Sequence, residues 1–341
     1  QSQYKILTVT NGDDKTFTFD GFTVQNGNAQ SNSGYITSTT GGINYFKNLI
    51  LQNNGGKTGN TLFRGNHIDS TTFESCIVRY NEAENNAGIG KATVVNSLLY
   101  ENNGWNNTAV LSNCKVIHCT VVNNKGGYLP NAWTVGGMSG GTAVSSIFWG
   151  NEGHNSQQVY NVASVTYSNI QGGYTGTGNI DVDPKFIKVI TTGDEESDYH
   201  LKDSSPVIGA GNATGAPITD LEGNPRPNPA GSNPDMGAYE NKWGTPQNAT
   251  PVITAIPDTT TKEDESITVT VSATDAEGDA ITFSATSDTT LTVSVSSDTL
   301  TITPKLNWHG VASVIVYASD GISKGQALFD VTVTPVNDLP T

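Results

Sequence analysis

Short apolar segments followed by Asn and Gly recur along the first half of the chain. The stretch "FKNLILQNNG" at 46–55 is one copy of this pattern. Successive copies begin 21 to 27 residues apart, at 19–28, 46–55, 73–82, 94–103, 116–125, 143–152 and, more weakly, 165–174. A repeat of this length predicts a solenoid or a repeat array.

Aligning the copies gives three columns of like residues. The first two columns are apolar, and the third holds Asn or Gly. The first is Phe19, Phe46, Phe73, Val94, Val116, Ala143 and Val165. The second is Val24, Leu51, Val78, Leu99, Val121, Phe148 and Ile170. The third is Gly27, Asn54, Asn81, Asn102, Asn124, Asn151 and Gly173.

These columns predict a parallel β-helix with one repeat per rung. A leucine-rich repeat needs a Leu-x-x-Leu-x-Leu frame, and helical repeats need amphipathic helices, and the chain has neither. Strands of successive rungs stack about 4.8 Å apart, so each column becomes a row along the solenoid. Apolar rows fill the interior, and Asn at a turn tolerates a left-handed backbone while its amide bonds to the next rung.

The pattern changes twice further along the chain. From 174 to 243 it becomes rich in Pro and Gly, and we predict C-terminal rungs and a cap, which gives a β-helix domain at 1–243. Residues 244–250 are predicted to be a linker. From 251 to 341 apolar and polar residues alternate with period two, which predicts a β-sandwich. The predicted fold class is therefore all-β.

Composition excludes some partners. A net charge of −15 argues against binding of nucleic acid or of anionic membrane surfaces. The chain has no apolar run long enough to insert in a membrane. It starts without Met and inside the repeat, which suggests a processed product or a fragment. Cys76, Cys114 and Cys119 are expected to be free and buried, because their rung positions do not suit a disulfide.

The tail of the predicted β-helix resembles a known family. The blocks "DVDPKF" (181–186), "DYHL" (198–201), "SPVIGAG" (205–211) and "DMGAYE" (235–240) are similar to the last rungs of secreted right-handed parallel β-helix proteins of bacteria, of the choice-of-anchor type of surface protein. The resemblance implies a secreted or cell-surface location. It implies no single activity, because such proteins include polysaccharide lyases, hydrolases and non-enzymatic adhesins.

Residues 251–341 resemble the cadherin-like, Ig-like tandem repeat of bacterial surface proteins. The matching stretches are "EDES" (263–266), "ATDAEGD" (273–279), "ITPKLNWHG" (302–310), "YASDG" (317–321) and "VTPVNDLP" (333–340). Such repeats gather oxygen ligands for Ca²⁺ at domain junctions, so the resemblance implies Ca²⁺ as a cofactor. The candidate ligands are Glu263, Asp264, Asp275, Glu277, Asp279, Asp320, Asn337 and Asp338. The alternative is a set of solvated acidic turns.

No catalytic residue is predicted. Asp20, Lys47 and Glu74 share one column on consecutive rungs, but the intervening lysine favours a surface charge ladder over a pair of catalytic carboxylates. A lyase would also need a base and a cation. The available basic residues form no tight constellation; they are Arg64, His67, Arg79, Lys91 and Lys115.

Exposed aromatic residues suggest glycan binding instead. Trp105, Tyr128, Trp133 and Trp149 lie on loops or outward positions, where they could stack on sugars or pack down on the solenoid. The leading hypothesis is a non-enzymatic extracellular adhesin or structural filament component that binds glycans and associates with itself, on Ca²⁺-stabilised sandwich repeats. The alternative is a secreted polysaccharide lyase or glycoside hydrolase.

Overall fold

The computed structural model describes most of the chain, and all secondary structure in the described part is β-strand or turn. The described residues are 7–9, 15–29, 36–38, 42–56, 63–65, 67–83, 87–105, 110–127, 135–153, 158–190 and 196–337. The chain divides into two compact units, Gln1–Pro246 and Gln247–Thr341. This division falls inside the predicted linker 244–250.

The first unit is a parallel β-helix with three sheets. Within the described residues, the first sheet contains Leu7–Val9, Thr16–Asp20, Ile36–Ser38, Ile43–Lys47, Phe63–Arg64, Thr71–Glu74, Ile89–Gly90, Thr93–Val95, Leu111–Ile117, Met138–Val144, Val159–Tyr160 and Ser164–Thr166. The second contains Thr23–Gln25, Ile50–Gln52, Ile77–Arg79, Leu98–Tyr100, Thr120–Val122, Ile147–Trp149 and Asn169–Ile170. The third contains Asn28–Ala29, Gly55–Gly56, Glu82–Ala83 and Asn103–Gly104.

Strand register confirms the two apolar columns. Phe19 pairs with Phe46, Phe46 with Phe73, and the column continues to Val165 through parallel neighbours. The second column runs from Val24 to Ile170 in the same way. Their side chains form the solenoid core, in which Phe46 and Phe73 stack with ring centroids 4.8 Å apart. Since every rung buries its apolar face only against its neighbours, the repeat in the sequence is a repeat of this core.

The Asn column forms a buried hydrogen-bond ladder. Asn54 Nδ2 donates to Asn81 Oδ1 (3.0 Å), and the same bond joins Asn81 to Asn102 (2.9 Å). It continues from Asn102 to Asn124 (2.8 Å) and on to Asn151 (2.9 Å). The predicted last member, Gly173, does not extend the ladder. Gln158 does so, because its Oε1 accepts from Asn151 Nδ2 at 2.8 Å.

A second polar ladder at the preceding turn was not predicted. The backbone N–H of Cys76 donates to Ser97 Oγ (3.0 Å), and that of Cys119 to Ser146 Oγ (3.1 Å). All three cysteines are free and buried, as predicted. Burial raises the pKa of the Cys76 and Cys119 thiols to about 12, so these side chains act as small core residues and not as nucleophiles.

The segment predicted to form C-terminal rungs and a cap, 174–243, divides into two parts. Rung pairing ends with the bridge between Asn169 and Ile180. Residues 184–190 and 196–243, here called the cover, lie on the outer side of the second sheet. Outward residues of that sheet form one core with the cover: Leu98, Tyr100, Val122 and Ile147 pack with Phe186, Tyr199, Leu201, Val207, Ile208 and Met236. The cover also contains an antiparallel pair, Phe186–Lys188 with Asp198–Leu201.

The "DMGAYE" stretch docks the cover by backbone hydrogen bonds. Gly237 N–H donates to the Ser145 carbonyl (2.9 Å), and Ala238 N–H donates to Thr120 Oγ1 (2.9 Å). A Cβ on Gly237 would lie 2.7 Å from Thr120 Oγ1, and the residue has a φ of +97°, so glycine fits both the contact and the backbone.

The second unit is an Ig-like β-sandwich. One sheet has the order Thr259–Lys262, Lys324–Thr334, Gly310–Ser319 and Thr282–Ser287. The other has the order Ile267–Thr270, Thr299–Pro304 and Leu291–Ser296, and a short pair joins Val252–Ile253 to Ala273–Thr274. Alternate residues of both sheets face a shared core that includes Leu300, Val316 and Phe329. The predicted fold class, a parallel β-helix followed by an Ig-like sandwich, is confirmed.

Candidate functional site

The charged column on the first sheet is a set of paired surface groups. Asp20, Lys47 and Glu74 lie on neighbouring rungs, as the sequence predicted. Lys47 Nζ lies 2.7 Å from Glu74 Oε2, and Asp20 Oδ1 accepts a hydrogen bond from Asn48 Nδ2 (2.8 Å). The hydrogen bond to Glu74 raises the pKa of Lys47, although its partial burial opposes the shift. These contacts fit a charge ladder.

The other basic candidates are scattered along the solenoid. His67 is exposed and lies 3.4 Å from Asp69, and Lys91 and Lys115 are exposed on separate rungs. The side chain of Arg64 lies outside the described residues. Arg79 is the exception, because the cover brings further polar groups to it.

Arg79 belongs to a group that we call the tyrosine cluster. Its members are Arg79, Tyr80, Tyr100, Glu101, Glu196 and Tyr199. Arg79 Nη1 donates to Tyr100 Oη (2.7 Å) and to Glu196 Oε1 (2.9 Å). The Tyr100 ring lies 5.5 Å from that of Tyr80 and 5.2 Å from that of Tyr199. Arg79 and Tyr100 are neighbours in the strand register of adjacent rungs, and the sequence gave no sign that Glu196 and Tyr199 would join them.

The electrostatics of the tyrosine cluster favour binding over base catalysis. Burial raises the pKa of Tyr80 and Tyr100, and it raises that of Tyr199 to about 12. The hydroxyls therefore remain protonated at neutral pH and act as hydrogen-bond donors and acceptors. Burial also raises the pKa of Glu101, while a hydrogen bond from Tyr199 opposes this.

A buried ionic group holds the cover together. Arg226 Nε lies 3.3 Å from Glu240 Oε2, and both side chains are fully buried. Arg226 Nη1 donates to His118 Nδ1 and to the Gly237 carbonyl (3.0 Å). Burial, together with the charge of Arg226, lowers the pKa of His118 to about 3, so this imidazole is neutral. Burial and the neighbouring Glu240 raise the pKa of Asp235 to about 8. His118 is thus a docking residue for the cover.

Of the predicted glycan-binding aromatic residues, the structure describes Trp105 and Trp149, which lie at different sheets of the solenoid. Trp105 is 47% exposed, after the third-sheet strand of its rung. Trp149 is partly buried against the core between second sheet and cover. Tyr128 and Trp133 lie outside the described residues.

The predicted Ca²⁺ ligands separate into two groups at opposite ends of the hairpin Gly310–Ser319 and Lys324–Thr334. A strand of that length places them about 30 Å apart. The group at the Ser319 end contains Asp275, Glu277, Asp279 and Asp320. The group at the Gly310 end contains Glu263, Asp264 and Asn337. Asp338 lies outside the described residues.

Backbone donors occupy much of the first Ca²⁺ group. Asp320 Oδ1 accepts from the N–H groups of Ile322 (2.7 Å) and Ser323 (2.6 Å), and Oδ2 accepts from Asn248 Nδ2 (2.9 Å). Burial opposes ionisation of Asp320, but these bonds lower its pKa. Asp275 Oδ1 accepts from Asp279 N–H (2.9 Å). Two oxygens of this group are buried without a hydrogen-bond partner, Asn248 Oδ1 and Asp275 Oδ2.

The carboxylates of the second group also accept hydrogen bonds or form ion pairs. Glu263 is buried, and its Oε1 accepts from Val336 N–H while Oε2 lies 3.5 Å from His309 Nδ1. Asp264 Oδ1 accepts from Asn307 N–H (2.9 Å). Among the described residues, no group of three or more His, Cys, Asp or Glu side chains is arranged to hold a metal ion. The same part of the chain contains no helix that is long and apolar enough to cross a membrane.

Comparison with known proteins finds matches among solved structures. No curated protein matches the chain. The solved structures that align with it include the endo-fucoidan hydrolase MfFcnA4 from glycoside hydrolase family 107 and a variant of the same enzyme. Each is 25% identical, with a TM-score of 0.22, and covers 33% of this chain and 16% of its own. So short an alignment at this TM-score indicates neither a shared fold nor a shared activity.

The second unit gives a clearer result. Residues 248–334 match the family model described as the bacterial Ig domain. Bacterial Ig domains are typical of extracellular and surface proteins. The sandwich that follows the β-helix therefore matches the bacterial Ig domain in sequence and is Ig-like in its fold.

Proposed function

We propose that this chain is part of a non-enzymatic extracellular surface protein, in which the β-helix serves as an adhesive or structural element. The observation that carries the proposal is the combination of a parallel β-helix with a segment that matches the bacterial Ig domain. The surface charges of the solenoid add support, because Lys47 and Glu74 neutralise each other where a pair of catalytic carboxylates would be needed.

Polysaccharide turnover tests this proposal. The purified chain is incubated with neutral and uronate-containing polysaccharides, and products are followed by the absorbance of unsaturated uronates and by new reducing ends. We expect no product from any polymer. Formation of unsaturated or reducing ends would instead establish the alternative, a polysaccharide lyase or a glycoside hydrolase.

The structural role includes self-association into a filament or surface assembly. A stacked solenoid can extend by pairing the backbone of its terminal rungs with another copy. Sedimentation velocity at rising protein concentration tests this. We expect a concentration-dependent increase in sedimentation coefficient, and a constant monomer value would contradict it.

We further propose that the Ig-like unit binds Ca²⁺. The support is the pair of buried oxygens without partners, Asn248 Oδ1 and Asp275 Oδ2, beside the carboxylates of Glu277 and Asp320. A buried acceptor without a donor is costly, and a hard cation that prefers oxygen ligands would satisfy both. Asn248 and Asp275 would ligate the ion through these two oxygens, and the ion would supply charge neutralisation and rigidity.

Chelation tests the Ca²⁺ proposal. We expect EDTA to lower the melting temperature of the Ig-like unit and added Ca²⁺ to restore it, since a ligand that binds only the folded state stabilises that state. The matched variant is Asp275→Asn, which should abolish the Ca²⁺ response. An unchanged melting temperature with EDTA would rule the proposal out.

A further inference from the structure

The cover does not bury the outward residues of the second sheet on its first rungs. On the fourth rung the outward residues of this sheet, Leu98 and Tyr100, are buried. On the first rung the equivalent residues, Thr23 and Gln25, are exposed, and on the second rung those residues are half-buried. We call the outward face of the first three rungs the outer strip; it consists of Thr23, Gln25, Ile50, Gln52, Ile77 and Arg79. At its third rung the cover begins, because Ile77 packs against the core beneath the cover and Arg79 bonds to Glu196.

Two chemically different columns run side by side along the outer strip. Thr23, Ile50 and Ile77 form one column, which is mostly apolar. Gln25, Gln52 and Arg79 form the other, which is polar. A pyranose ring has an apolar C–H face and a rim of hydroxyls, so a sugar chain lying along the strip would meet a suitable surface on both sides.

The polar column is a preorganised chain of hydrogen bonds. Gln52 Nε2 donates to Gln25 Oε1 (2.8 Å), and Arg79 Nε donates to Gln52 Oε1 (2.8 Å). These bonds fix the orientation of all three side chains. The amide nitrogen of Gln25 and Nη2 of Arg79 form no hydrogen bond with any described residue. Both groups can therefore donate a hydrogen bond to a ligand. Fixed donors cost less entropy on binding than mobile ones.

The tyrosine cluster closes the strip at its covered end. Tyr80 is half-buried there, with the Arg79 guanidinium carbon 5.5 Å from its ring centre. Its ring and hydroxyl combine an apolar body with a polar tip, which suits contact with sugars. Glu101, on the next rung, adds an acceptor.

Charge favours a neutral ligand. The single cation of the strip, Arg79, is already paired with Glu196 at 2.9 Å. Residues 1–250 carry 14 Lys and Arg against 20 Asp and Glu, and this net negative charge disfavours anionic polymers. Uronate or sulfated chains therefore fit the strip less well than a neutral polysaccharide.

We propose that the outer strip, together with Tyr80, is a binding site for a neutral polysaccharide chain lying along the solenoid axis. This inference rests on the proposed function, because it supplies the ligand class for an adhesive extracellular β-helix. It places glycan binding on the first three rungs of the second sheet, whereas Trp149 lies three rungs further along the same outward column, against the cover.

Affinity electrophoresis of the full chain tests the inference, with galactomannan or mixed-linkage glucan in the gel and with polygalacturonate for comparison. We expect retardation by a neutral polymer and about tenfold weaker binding by the double variant Gln25→Ala/Gln52→Ala, from the loss of two amides. The matched control is Gln326→Ala, an exposed glutamine of the Ig-like unit, which should bind as the wild type does. Circular dichroism shows that each variant is folded.

The outcomes separate this inference from the function on which it rests. No binding to any neutral polymer, stronger retardation by polygalacturonate, or full affinity in the double variant would each overturn the outer strip as a neutral-glycan site. Reducing ends released from a bound polymer would overturn the non-enzymatic function and leave the binding site standing.

Discussion

Arg226 and Glu240 form an ion pair in which neither side chain is accessible to solvent, with Nε and Oε2 3.3 Å apart. Nε lacks the geometry of a hydrogen bond, so attraction of charge holds this contact while Nη1 makes the directed bonds. A buried pair is costly to break from one side, because the remaining charge is left without compensation.

Removal of Arg226 is therefore expected to destabilise the β-helix unit strongly. Arg226→Met should lower the free energy of unfolding by about 3–5 kcal/mol, measured by urea denaturation. The double variant Arg226→Met/Glu240→Gln should recover part of this loss, because Gln keeps the acceptor for Asn228 N–H and removes the charge. A double variant no more stable than the single one would show that charge is not the cause.

The Asn ladder should be sensitive at its centre. Asn102→Ala removes the acceptor for Asn81 N–H (3.1 Å) and the donor to the Val78 carbonyl (2.9 Å). Buried groups left unpaired cost about 1–3 kcal/mol each, so we expect a loss of about 3 kcal/mol in urea denaturation. The adjacent Asn103→Ala is the control, with an expected change within about 0.5 kcal/mol. Equal losses of stability in the two variants would show that the Asn ladder does not stabilise the fold.

Gly141 is required by a close backbone contact. Its φ is +87°, and a Cβ there would lie 1.9 Å from the Cys114 carbonyl oxygen. Gly172 has a similar φ of +84° with no atom within 4 Å of a Cβ. Gly172→Ala should cost only about 1–2 kcal/mol of backbone strain. Gly141→Ala should lower the melting temperature considerably more, and similar shifts for the two variants would show that the contact relaxes freely.

His200 should make the cover more stable in mild acid. Burial lowers its pKa, but hydrogen bonds with Asp198 (2.6 Å) and Glu222 (3.2 Å) raise it above the ordinary value overall. The stabilisation is therefore fully present below the unfolded pKa of about 6.5 and is lost as pH rises through the higher folded value.

Melting curves of wild type and His200→Gln measure this effect. The melting temperature of the wild type should exceed that of the variant by the largest margin near pH 5–6, and this difference should shrink above about pH 7. Loss of the ring contact with Tyr239 contributes at every pH, so only the pH-dependent part reports the charge. A margin that stays constant across this range would contradict the prediction.

The sequence predicted the features that local periodicity controls. Phe46, Leu51 and Asn54 each lie in the predicted row, because rung stacking repeats the same environment at each copy. Gln158 was missed as the end of the Asn ladder, since it comes from a loop outside the aligned repeat. Only the side-chain amide of Gln158 continues the ladder, and an alignment of the repeat copies cannot detect a residue that lies outside them.

The cover could not be placed from its own sequence, since its contacts join residues far apart in the chain. The Asn96 amide donates to the Thr219 carbonyl, and His118 contacts Asp235. A signal was present on the other partner: Leu98, Val122 and Ile147 are apolar at outward positions, where an uncovered sheet would be polar. The tyrosine cluster was missed for the same reason, because Glu196 and Tyr199 belong to the cover.

The position of the cover along the side of the solenoid changes the order in which the rungs can unfold. A stack of rungs with only neighbour contacts unfolds stepwise from an end. Here one polypeptide segment touches Asn96, His118 and Ser145 on three successive rungs, so none of them can detach alone. Under a pulling force, these three rungs would unfold together in a single step. The rungs around Phe19 and Phe46, which the cover does not bury, would unfold first and at lower force.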